Sequence, residues 1–117
     1  MSTGLQSRGH LIGGDRVPAA SGATFDDVDP FSDDVVARVA AGGREEAQRS
    51  VAAAADAFAE WSQSPPAQRQ GIFLKAADVL ESRQEDVVSW LARETGCTFG
   101  FGMFQLGFVA GLLRQAA

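Results

Sequence analysis

One thiol, Cys97, and one imidazole, His10, are the candidates for nucleophilic chemistry in these 117 residues. A cysteine attacks as its thiolate, with a base to take the proton and donors to hold the developing oxyanion. No histidine stands near Cys97 in the sequence, so a structural or incidental thiol is the preferred reading. His10 falls in an N-terminal stretch expected to be mobile, and no role is assigned to it. A single cysteine forms no internal disulfide, and no Cys/His spacing suits a metal ion. A metalloenzyme built on these residues is disfavoured, as is a Ser-His-Asp hydrolase complete within one chain.

Gly100-x-Gly102-x-x-Gln105 approaches a dinucleotide fingerprint but lacks the third glycine and a preceding strand. The fingerprint works by seating pyrophosphate on a helix N-terminus just after a strand, so a glycine-packed helix is preferred. Gly107-x-x-x-Gly111 lies in an apolar run over residues 97–113 and could pair membrane helices. That run is at the short limit for a span and has few charged flanks, so a buried helix is preferred. The adjacent carboxylates Asp26-Asp27, Glu45-Glu46 and Glu85-Asp86 could suggest acid–base or metal chemistry. Neighbouring positions on a helix do not point together, and solvated faces are the expectation. No catalytic, cofactor-binding or metal-ligating residue is therefore assigned within this chain.

The net charge is −5, distributed as −3 over residues 1–43, −3 over 44–96 and +1 over 97–117. That sign argues against nucleic acid, which needs a basic stripe, and against docking on anionic lipid. The apolar share of 45% is ordinary for a chain that folds, and the length suits about one small domain. The first ten residues hold no apolar run of the kind a secretory signal carries, so a cytoplasmic protein is expected.

Residues 1–43 read as N-terminal strands and turns, and 44–117 as a helical part, both belonging to one partial domain. Leu11-Ile12, Gly13-Gly14-Asp15 and Arg16-Val17 spell a hairpin whose turn needs positive φ. Thr24–Val28 and Val35–Val39 suggest two more strands, with Asp29-Pro30 forcing a turn between them. Over 44–62, Ala47, Val51, Ala54, Phe58 and Trp61 step by four and three and share one helix face. A second helix over 65–95 would start at Ser64-Pro65 and carry Phe73, Ala77, Leu80, Val87 and Leu91 on one face. Gln84 interrupts that face, and a bend or break is expected near Ser82. Gly96 fits a C-cap. Thr98 could cap a third helix whose glycines at 100, 102, 107 and 111 make sense only if another backbone packs close. The helix running to Ala117 carries no stop signal and reads as a cut.

The order of these pieces resembles the start of the NAD(P)-dependent aldehyde dehydrogenases. The carrying segments are Leu11–Val17, Asp29-Pro30-Phe31-Ser32 with Val35–Val39, Ala57–Trp61, Pro66–Arg69 with Lys75–Glu81, and Glu94-Thr95-Gly96 with the helix to Ala117. The aromatic and glycine-rich run after Gly96 further resembles the benzaldehyde, salicylaldehyde and vanillin dehydrogenase branch. Asp29 stands where that family usually has asparagine, Cys97 where it often has lysine, and Gln105 where it often has glutamate.

The resemblance implies an α+β piece, short strands then three helices, belonging to a Rossmann-like α/β cofactor domain. It implies a longer parent that oxidises an aldehyde, of the aromatic class, to its acid with NAD or NADP. In that family a cysteine thiolate attacks the carbonyl, hydride passes to the nicotinamide, and water releases the acid. The residues for these steps lie downstream of this point, so the chain by itself is expected to be inactive. A homo-oligomeric parent is also implied. Poor solubility or partial disorder in isolation is expected from the apolar 97–113 run. The alternative is a small non-enzymatic helical module that associates through residues 97–113.

Overall fold

The computed structural model describes residues 6–117. The first residues of the stretch read for a secretory signal lie outside them. The chain divides into two compact units, Met1–Gln63 and Ser64–Ala117.

The first unit holds β1 (Gln6–Arg8), β2 (His10–Ile12), β3 (Asp15–Val17), β4 (Thr24–Val28), β5 (Val35–Ala40) and α1 (Arg44–Gln63). β5 is central, with β1 parallel on one side and β4 antiparallel on the other. β2 and β3 form a separate hairpin in the register His10↔Val17 and Ile12↔Asp15. Its turn is Gly13-Gly14, with φ of 61° and 92°. Two successive positive φ values match the right-handed twist of the flanking strands, and glycine reaches them without a Cβ clash. Of the N-terminal stretch expected to be mobile, the described residues are largely strand: β1 pairs with β5, and His10 opens β2.

Between β4 and β5, the Asp29 N–H donates to the Asp34 carbonyl at 2.9 Å and the Asp29 Oδ1 accepts the Phe31 N–H at 2.8 Å. The second bond is an Asx turn, for which an aspartate oxygen serves as well as an asparagine one. That accounts for how this chain tolerates Asp29. The buried residues of this unit are Ala19, Val36, Ala37, Ala40 and one carboxylate, Glu46.

The second unit holds α2 (Pro66–Ser82), α3 (Gln84–Thr95) and α4 (Phe99–Ala116), so the described residues form four helices where three were expected. The stretch expected as one helix breaks at Arg83, whose φ and ψ of −108° and 21° leave the helical region. A continued helix would carry the polar Gln84 on the buried row. The break resets the phase, leaving Gln84 exposed while Val88 is fully buried and Val87 and Leu91 are half-buried. The Arg83 guanidinium then pairs with Asp86 at 2.7 Å across the new first turn. Proline occupies the first turn of α2 as expected, but it is Pro66, with Pro65 as the cap residue and no side-chain cap.

α4 packs against both α2 and α3 through Gly102, Leu106 and Ala110. Arg114 ties its last turn to α2, donating to Glu81 Oε1 at 2.7 Å and to Asp78 Oδ1 at 3.1 Å.

Candidate functional site

Cys97 sits in the short link between α3 and α4. Gly96 ends α3 with φ 69° and donates its N–H to the Ala92 carbonyl at 2.8 Å. The Cys97 N–H donates to Thr95 Oγ1 at 3.3 Å, and Thr98 Oγ1 accepts the Phe101 N–H at 3.3 Å as the N-cap of α4. The half-buried thiol thus lies between the C-cap of one helix and the N-cap of the next. His10, the one imidazole of the sequence, belongs to the first unit, whereas Cys97 belongs to the second. Among the described residues no group of three or more His, Cys, Asp or Glu could hold a metal ion.

The glycines of α4 divide by what surrounds them. A Cβ on Gly102 would stand 2.8 Å from Val88 Cγ1, inside contact distance. Gly102 is therefore the residue that lets α4 approach α3. Nothing lies within 4 Å of a Cβ built on Gly100, Gly107 or Gly111. The expectation that all four glycines serve a close backbone approach holds within this unit for Gly102 alone. α4 follows another helix and the three-residue link Gly96-Cys97-Thr98, not a strand. The residues present therefore do not fit a dinucleotide phosphate, whose cradle needs a strand-to-helix turn. Among the described residues no helix is long and apolar enough to cross a membrane.

The acidic pairs separate in the same way. Asp26 meets Arg38 at 3.2 Å across the β4–β5 register, Asp86 meets Arg83, and Glu45 and Glu85 are exposed. Glu46 departs from the expected solvated face, being only 6% exposed. Its Oε1 accepts the Ala20 N–H and its Oε2 the Gly43 N–H, both at 2.7 Å. These N–H donors, with a smaller contribution from His10, hold its carboxyl at about 2 against an ordinary 4.5, and partial desolvation opposes them. Gly43 is the residue before α1, so Glu46 reaches back from the third helical position as in half of a capping box. The spacing Gly43-x-x-Glu46 was the signal in the sequence. The His10 ring lies over Gly42, where a Cβ would meet its Cε1 at 2.7 Å, and its buried Nε2 has no hydrogen-bond partner.

Several large apolar side chains are exposed. In the first unit, α1 shows Val51 and Phe58 at 70% and 66% exposure. In the second, α4 presents Phe101, Phe104 and Phe108 outward, with successive ring centroids 6.2 Å apart. Among the described residues, both units present exposed apolar side chains on helix faces.

Residues 17–117 match the model of the aldehyde dehydrogenase family. The chain is 41% identical over 107 residues to a vanillin dehydrogenase of a Pseudomonas species, covering 92% of this chain and 22% of that protein. It is 44% identical over 88 residues to the mitochondrial benzaldehyde dehydrogenase of Antirrhinum majus, covering 74% of this chain and 16% of that one. The solved NAD-dependent benzaldehyde dehydrogenase of Corynebacterium glutamicum superposes with a TM-score of 0.89 at 29% identity, covering 98% of this chain and 25% of that one. The chain thus spans about a fifth of the length of the curated relatives it matches. With its strands, its four helices and a family match over nearly all of its length, the chain belongs to the aldehyde dehydrogenase family.

Proposed function

We propose that this chain is the N-terminal scaffold of an enzyme that oxidises an aromatic aldehyde to its carboxylic acid with NAD as hydride acceptor. The observation that carries the reading is the likeness to vanillin and benzaldehyde dehydrogenases at 41% and 44% identity. The scaffold role rests on what the residues do here: Cys97 sits between two helix caps, Gly102 serves helix packing, and Glu46 ties a loop to a helix N-terminus. The helix faces left apolar are those that further parts of such an enzyme would cover. NADP as an alternative acceptor to NAD, a homo-oligomeric assembly and work in the cytoplasm complete the proposal; the single cysteine supports the last.

The test is a chimera. Residues 17–117 replace the matching segment of the Pseudomonas vanillin dehydrogenase, and NADH formation from vanillin is followed. Retained turnover is expected, with no NADH formed by the 117-residue chain alone. A chimera that assembles like its parent yet turns over no vanillin would sink the reading. The exposed phenylalanine row of α4 favours one competitor, a non-enzymatic module associating through residues 97–113. Sedimentation of the chain alone addresses it: concentration-dependent self-association abolished by Phe104→Ser, together with an inactive chimera, would establish that reading instead.

A further inference from the structure

We draw no further inference here: the strongest candidate, the aliphatic cavity of about 420 Å³ that Leu80 of α2, Val87 of α3 and Leu113 of α4 help to line, carries none, because Arg83, the charged residue of its lining, is already paired with Asp86 and nothing in the structure shows what covers it.

Discussion

Changing Gly102 to alanine should loosen α4, whereas the same change at Gly107 or Gly111 should tighten it. All three substitutions share the gain from helix propensity, about 1 kcal/mol. They differ in what the new methyl meets. At Gly107 and Gly111 it meets nothing within 4 Å. At Gly102 it would stand 2.8 Å from Val88 Cγ1, and Val88 is 0% exposed. A β-branched side chain in a helix has one strongly preferred rotamer, so Val88 cannot swing aside. Overpacking of this kind costs about 1–3 kcal/mol. Since the propensity gain nearly cancels between variants, the difference between Gly102→Ala and Gly107→Ala measures the overpacking itself.

Hydrogen exchange of the α4 amides is the suitable assay, because it reads local opening without requiring a two-state melt. Gly107→Ala should raise protection about fivefold, and Gly102→Ala should fall below it by about five- to 150-fold. Pairing Gly102→Ala with Val88→Ala should recover part of the loss, since the truncated side chain vacates the space the methyl enters. If Gly102→Ala raised protection as much as Gly107→Ala, the close approach of α3 and α4 would be wrong.

Three further outcomes follow from named contacts. Glu46 has its folded pKa lowered from 4.5 to about 2, so its contribution to stability is present above about pH 4.5 and is lost as pH falls towards 2; in Glu46→Gln, acid unfolding followed by circular dichroism should lose that component. Arg114→Gln should reduce α4 amide protection at low ionic strength and make little difference at about 1 M salt, where the Debye length is about 3 Å, because the Arg114–Glu81–Asp78 cluster is exposed. Cys97→Ser in the vanillin dehydrogenase chimera should leave the turnover of vanillin unchanged, as a helix-linking residue would; a collapse of kcat with normal assembly would make the thiol a participant.

The hairpin was legible because Gly13-Gly14 has few alternatives to a tight turn, and Gly96 and Thr98 were legible as caps because their signals are local. The break at Arg83 was half-legible: Gln84 marked the fault in the apolar row, but row counting cannot tell a bend from a second helix. β1 carries no pattern of its own. Gln6-Ser7-Arg8 is strand because β5 offers it an edge, a long-range pairing that three polar residues do not announce. Glu46 was misread for a related reason. Judged beside Glu45 it is one of an acidic pair on a helix surface, and what buries it is the loop at Ala20, 26 positions away. The Gly43-x-x-Glu46 spacing held the local half of that information, the capping half, and lacked the distant half.

The distribution of side chains explains why the described residues present so much apolar helix surface. Seven of its eight phenylalanines are among the exposed large hydrophobics, while the buried positions are chiefly alanine and valine, with Leu106. That reverses the usual ranking, in which phenylalanine is among the residues most often buried. Small residues at the crossings let α4 approach α2 and α3 closely, and their burial contributes little transfer free energy. Each phenylalanine left in water forgoes about 1.5–3 kcal/mol that burial would supply. Against a net stability of about 5–15 kcal/mol for an ordinary domain, several such losses are decisive. Either unit alone should therefore sit near the limit of folding, and covering these faces within a larger assembly should raise its stability more than any single substitution inside it.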